Sequence, residues 1–160
     1  MKHVKRILGI DPGFGRTGFA VLSIEPSGIE TLDFGVITTP TIKDFGSRLV
    51  MLAEDLQAVI IESKPDLMAV EQLYFTNNQK TGIQVAQARG VILLLAAQNG
   101  IPLMEFTPNQ VKSSLTGDGK ANKAAVQRMV KQLLGLARIP KPDDAADALA
   151  IALAASTMRK

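Results

Sequence analysis

The chain of 160 residues predicts an α/β fold: a five-stranded mixed sheet, a three-strand antiparallel meander plus two parallel strands, flanked by helices. Three observations predict it. Three apolar runs near the N-terminus are joined by short glycine-bearing turns, and such connections make antiparallel hairpins. Two later apolar runs are separated by helix-period stretches, and a strand–helix–strand crossover returns parallel. The C-terminal third is helical and ends in an alanine-rich helix that can approach a sheet closely.

The first strand is 4–11. Ile7-Leu8-Gly9-Ile10 is apolar at consecutive positions, as a strand buried on both faces is. Pro12 cannot donate to a ladder, so the strand stops at Asp11 and leaves that carboxylate at the carboxyl edge of the sheet. Open sheets with parallel strands bind ligands at that edge. By itself, Asp11 reads at least as well as a turn-opening residue. A turn with Gly13 and Gly15 leads to the second strand, 17–24, and Pro26-Ser27-Gly28 leads to the third, 29–38.

A helix is predicted over 43–63, with Leu49, Leu52, Leu56 and Ile60 on one apolar face. Leu67-Met68-Ala69-Val70 is a fourth strand, and Glu71 follows it as Asp11 follows the first. Thr76-Asn77-Asn78-Gln79 has capping-box spacing and opens a helix running to Gln98, before Asn99-Gly100. The apolar stretch 91–97 makes that helix apolar on more than one side, as in a core helix or a subunit interface. The fifth strand is 101–106. Thr107-Pro108-Asn109-Gln110 is a second capping box, opening a helix over 108–115. Helices over 122–134, with Gly135 as its stop, and 143–156 complete the chain.

Composition narrows the class. The length suits one domain, 1–160. No apolar run approaches a membrane span, and Asp11 interrupts the stretch after the basic N-terminus before it reaches signal-peptide length. There is no cysteine, which fits a reducing, cytoplasmic setting and excludes thiolate metal sites. The net charge is +3, but its distribution says more: between Phe106 and Pro142 seven basic side chains face Asp118 alone. Such a stretch favours a polyanion, most often nucleic acid; the competing reading is a solvated helix face.

The last helix opens Pro142-Asp143-Asp144-Ala145-Ala146-Asp147. Asp144 and Asp147 share a helix face, and so do Asp143 and Asp147. Asp143 and Asp144 also read as acids favoured at a helix N-terminus. Asp147 lies a turn inside an apolar helix, where a lone carboxylate is costly. If the fourth strand lies parallel to the first, Asp11 and Glu71 meet these acids. The lone histidine, His3, sits in a charged tail. Oxygen-only ligands favour Mg²⁺, with Mn²⁺ as substitute, over Zn²⁺. Two divalent ions per site would neutralise the four acids, and two-metal sites serve phosphodiester hydrolysis.

The motifs Gly9-Ile10-Asp11-Pro12-Gly13 with Thr17-Gly18-Phe19, Ala69-Val70-Glu71-Gln72, Gln87-Ala88-Arg89-Gly90, Thr107-Pro108-Asn109-Gln110-Val111-Lys112 and Asp144-Ala145-Ala146-Asp147-Ala148-Leu149-Ala150 occur in this order. Over about 7–155 the chain thereby resembles the RuvC family of Holliday-junction resolvases. The resemblance implies an RNase H-like fold and a homodimer that cuts two opposed strands of a four-way DNA junction symmetrically, leaving 5′-phosphates. It implies the long helix 79–98 at the dimer interface and a branch-migration helicase as a partner. Asp11, Glu71, Asp144 and Asp147 match the catalytic, metal-holding acids, with Asp11 bridging both ions and Asp143 left as a neighbour and helix cap. Lys112 and Lys123 match DNA-contacting positions; Lys120, nearby, is assigned to phosphate, and Arg89, in the QARG motif, to DNA. Tyr74 stands where the family commonly has a Phe that stacks on bases at the junction centre, with Phe75 beside it as the alternative. Lys160 follows soon after the last helix, so the tail of some relatives is expected to be short or missing.

Three other readings compete. Actin-like and sugar-kinase ATPases open with a similar Gly-Ile-Asp-x-Gly strand end, but they need two such lobes. A non-catalytic RNase H-like scaffold for branched DNA would not need all four acids. A nuclease of the same fold acting on another duplex is separated only by the family resemblance.

Overall fold

The structure, a computed structural model, describes residues 6–72 and 79–158. His3, Tyr74, Phe75 and the first predicted capping box at Thr76 lie outside the described residues. The elements are β1 (Arg6–Asp11), β2 (Arg16–Glu25), β3 (Gly28–Thr38), α1 (Phe45–Ser63), β4 (Leu67–Glu71), α2 (Gln79–Gln98), β5 (Leu103–Phe106), α3 (Pro108–Thr116), α4 (Lys123–Leu133) and α5 (Asp143–Thr157). The sheet order is β3-β2-β1-β4-β5. β1 pairs antiparallel with β2 and parallel with β4, and β4 pairs parallel with β5. This is the predicted mixed sheet, with β1 at its centre.

Strand alternation divides the molecule into two cores. Ile7 of β1 and Leu67 and Ala69 of β4 pack with α3, α4 and α5. Leu8 and Ile10 of β1 and Met68 and Val70 of β4 pack with α1 and α2. By the same alternation, Asp11 and Glu71 belong to the α5 face of the sheet. α5 reaches that face because of glycine: a Cβ on Gly9 would lie 2.4 Å from the Ala148 carbonyl oxygen and 2.8 Å from Ala152 Cβ. The alanines of α5 complete the close approach, and Ala145, Ala146, Ala148 and Leu149 are all buried.

Element ends differ from the sequence expectations for local reasons. α1 starts at Phe45 because Asp44 caps it, its carboxylate accepting from the Ser47 N–H at 2.9 Å. β5 starts at Leu103 because the Ile101 N–H is spent on the Ala96 carbonyl at the end of α2. The Thr107/Gln110 capping box forms as predicted. Gly135 stops α4 with φ +61°. Asp143 does not cap α5: the N-cap is Pro142 with no side-chain bond, and the Asp143 carboxylate turns to Lys123 and Lys141 at 3.4 and 3.6 Å. Among the described residues no helix is long and apolar enough to cross a membrane.

Candidate active site

Asp11 and Glu71 each stand one residue beyond the Ile10–Val70 register pair, on adjacent parallel strands and the same face. Their side chains are hydrogen-bonded to each other. Asp11 is also opposite Gly18 in the β1–β2 ladder, and Gly18 lies directly beneath α5: a Cβ there would be 2.0 Å from the Asp144 carbonyl oxygen. One bare position on β2 thus brings the start of α5 over the end of β1. Asp147, one turn further along α5, shares a cleft of about 250 Å³ with Glu71, Lys112 and Lys123.

The electrostatics record this convergence. Burial pushes the Asp11 carboxyl from 3.8 up to about 8, and Glu71, Asp147 and Asp144 add repulsion in that order. Burial and then Asp147 raise Glu71, while its hydrogen bond with Asp11 and the charge of Lys112 pull it back. Burial raises Asp147 against the opposing pull of Lys123. Asp143, exposed at the edge of the cluster where its charge also raises Asp147, moves the other way, held low by Lys123. Burial with like charge marks a site that wants positive charge supplied.

The chain supplies some of that charge itself. Arg16 Nε donates to Asp144 Oδ2 at 2.9 Å. Lys123 Nζ lies 3.4 Å from Asp147 Oδ2 and the same distance from Asp143 Oδ2. With two acids turned to cations and two bonded to each other, no three acidic side chains among the described residues form a ready cage for a metal ion. The four predicted acids therefore share one electrostatic site, while their present rotamers leave the ligand set open.

The predicted basic residues divide. Lys112 and Lys123 line the cleft, and Lys120 is exposed on the turn before α4, where its N–H donates to Asp118 Oδ1 at 2.8 Å. Arg89 is engaged inside the protein: its guanidinium pairs with Glu105 of β5, and its Nε donates to the main-chain oxygen of Glu71 at 3.4 Å. With a side chain only 18% exposed, Arg89 ties α2 to the ends of β4 and β5, instead of standing free for a phosphate.

Sequence reasoning passed over Arg16 and Arg48. Arg16 had a signal, a basic residue immediately after the Asp11 turn. Arg48 had none, because an arginine on a helix reads as a surface residue. It is 8% exposed, with its guanidinium carbon 4.2 Å from the centroid of the Phe14 ring and its Nε donating to Thr39 Oγ1 at 3.0 Å. The Thr39 N–H in turn donates to the Gly15 carbonyl at 3.0 Å, and Phe14 packs on Phe45. The turn that releases Asp11 is thus strapped to the start of α1 by packing and a cation–π contact. Gly15, at φ +81°, leaves the room: a Cβ would meet Arg48 Nη2 at 2.6 Å.

Comparisons with known proteins give the family and the fold. The crossover junction endodeoxyribonuclease RuvC family matches residues 7–155. The chain belongs to the RuvC family. The crossover junction endodeoxyribonuclease RuvC of Gloeobacter violaceus is 51% identical over 149 residues, 92% of this chain and 86% of that protein. The RuvC of Pseudothermotoga lettingae is 49% identical over 146 residues, 91% of this chain and 90% of that one. A solved structure of Thermus thermophilus RuvC in complex with a Holliday junction substrate superposes with a TM-score of 0.90 at 32% identity, covering 96% of this chain and 93% of that chain. The yeast mitochondrial Holliday junction resolvase Ydc2, 21% identical with a TM-score of 0.69, shares the fold. The predicted RNase H-like architecture is the fold of the RuvC structures themselves.

Proposed function

We propose that this chain, acting over 1–160 as one nuclease domain, resolves four-way DNA junctions by metal-dependent hydrolysis of phosphodiester bonds in two opposed strands. The observation that carries the reading is the hydrogen-bonded Asp11–Glu71 pair at the sheet edge, where burial first, and then the charges of Glu71, Asp147 and Asp144, raise Asp11 to about 8. Membership of an endodeoxyribonuclease family and a fold shared with a junction-bound relative support it.

The donor set fits Mg²⁺ or Mn²⁺. Every candidate ligand is a carboxylate oxygen, and the repulsion among them is relieved only by proton or cation. Asp11, Glu71, Asp144 and Asp147 would hold the ions, which supply Lewis acidity: easier ionisation of the attacking water and charge offset at the leaving 3′ oxygen, giving a 5′-phosphate. The remaining work belongs to the chain. Asp11 and Glu71 give up their shared proton as the site fills. Lys112 and Lys123, on the wall of the cleft beside Glu71 and Asp147, hold the strand's phosphates against acids that would otherwise repel them. Arg89 keeps the end of β4, and so Glu71, in register with β5.

Symmetric cutting needs two sites, and α2 offers the joining surface. Ile83 and Leu94 are 55% and 54% exposed on it. Apolar exposure of this kind suits a second copy of the chain. A scaffold that only bound branched DNA would keep no use for buried, mutually repelling acids, which cost stability unless they serve chemistry.

The test compares a synthetic four-way junction with a linear duplex of matched arm sequence, each incubated with protein and Mg²⁺. The junction should be cut in paired, religatable strands and the duplex left whole. Equal cutting of both, or undiminished cutting by Asp11→Asn and Glu71→Gln, overturns the reading.

A further inference from the structure

One contact in the site belongs to none of the roles above. Arg16, the first residue of β2, is salt-bridged to Asp144 at 2.9 Å, although 128 residues separate them. The bond is not what docks α5 on the sheet. The bare Gly18 beneath the Asp144 backbone and the buried alanines of α5 do that. Both partners are open to water, 54% for Arg16 and 32% for Asp144, and an ion pair so exposed adds little to stability. The guanidinium instead occupies one oxygen of a carboxylate that would help hold a divalent cation. It does so on a solvent-open acid whose charge reaches the buried Asp11.

We propose that Arg16 is a DNA backbone-phosphate ligand, parked on Asp144 in the free protein, and that its transfer to an incoming phosphate releases Asp144 to the metal site. This rests on the junction-nuclease reading above. A guanidinium exchanges readily between the two partners because carboxylate and phosphate present the same forked acceptor geometry. The fold favours the exchange. Arg16 enters from β2, on one side of β1, while Lys112 and Lys123 come from α3 and α4, which follow β5 on the other side. A strand laid across the acids therefore meets a basic side chain on each flank, and the β2 flank is provided by Arg16. Because one guanidinium serves both partners, DNA binding and metal binding reinforce each other, and linkage makes the effect reciprocal.

The experiment has two arms. In the first, Mn²⁺ binding to DNA-free protein is titrated calorimetrically for wild type, Arg16→Ala and Arg16→Lys. Freed of its partner, Asp144 should bind Mn²⁺ more tightly in Arg16→Ala, on the order of fivefold. In the second arm, junction binding is followed against salt in EDTA, where no cleavage occurs. The log–log salt slope of Arg16→Ala should be shallower by about 1, and that of Arg16→Lys should stay near wild type. Matching thermal midpoints confirm that all three proteins are folded.

An unchanged salt slope overturns the phosphate role. Weaker Mn²⁺ binding by Arg16→Ala also overturns the proposal, since Arg16 would then be orienting Asp144 as a ligand. Failure of the junction reading has a different signature: wild type would bind linear duplex as tightly as junction, with the Arg16 contribution to the slope intact on both.

Discussion

The carboxyls of Asp11 and Glu71 are hydrogen-bonded across the ends of two parallel strands, one residue past the Ile10–Val70 pair. That relationship makes the metal-free protein sensitive to pH in an unusual direction. Asp11 is raised from 3.8 to about 8, by burial first and then by Glu71, Asp147 and Asp144. The native state therefore keeps a proton that the unfolded chain has lost over that interval. Its stabilising effect is complete below the unfolded value and disappears as pH climbs to the folded one. Glu71 and Asp147 shift in the same sense. In EDTA, the melting temperature should fall as pH rises from about 5 to 8, where each kcal/mol is worth roughly 2–4 °C. Asp11→Asn should flatten most of that fall, and Mg²⁺ at the alkaline end should restore the melting temperature. A flat wild-type profile in EDTA would mean that no proton is held there.

The approach of α5 to the sheet depends on two missing side chains. At Gly9 an added Cβ meets the Ala148 carbonyl oxygen at 2.4 Å, and at Gly18 it meets the Asp144 carbonyl oxygen at 2.0 Å. Both obstacles are backbone, so α5 itself must move. Gly9→Ala should destabilise the fold by about 2–3 kcal/mol, read from denaturant midpoints. Gly18→Ala should lose cleavage well beyond its loss of stability, measured where the variant is still folded, because Asp144 is what it displaces.

Arg89 acts on Glu71 through the backbone in this structure. Arg89→Ala, and more mildly Glu105→Gln, should lower kcat by on the order of 10- to 100-fold, as the loss of a supporting partner does elsewhere. The junction Kd should stay within about twofold, since a phosphate contact would instead change the salt slope by about 1. Single-turnover cleavage at saturating protein, beside a binding isotherm, separates the two roles.

Leu94 is exposed on α2, so a charge there should leave the protomer folded. Leu94→Arg should convert a dimer into monomers by sedimentation velocity, with an unchanged circular dichroism spectrum. Paired cutting of opposed strands should fall away with it. A wild type that sediments as a monomer at all concentrations would remove α2 as the joining surface.

Much of this protein was legible in order along the chain. The strands end where Pro12 and Glu71 stand, the Thr107 capping box forms, and the α1 face carries Leu52, Leu56 and Ile60 into the core. Asp143 went astray because a first-turn acid at a helix start reads as a cap, whereas here Lys123 and Lys141 claim its carboxylate. Arg89 reads as a DNA contact because it is a motif arginine in a basic protein; its engagement with Glu105 and the Glu71 main chain was not legible, since nothing local announces Glu105 as its partner.

By itself, the sequence determined the α/β class, the strand ends that carry Asp11 and Glu71, and the shared helix face of Asp144 and Asp147. These follow from periods of 2 and 3.6 and from turn chemistry, which neighbours along the chain impose. That β4 lies beside β1 and sets the two strand-end acids together is a finding of the tertiary structure. Only the tertiary structure decided, too, how the acids are occupied: Asp11 with Glu71, Asp144 with Arg16, Asp147 with Lys123. The physical reason is range. A carboxylate's partner is chosen by which side chains the packed elements bring within about 4 Å of it, and no local pattern encodes that.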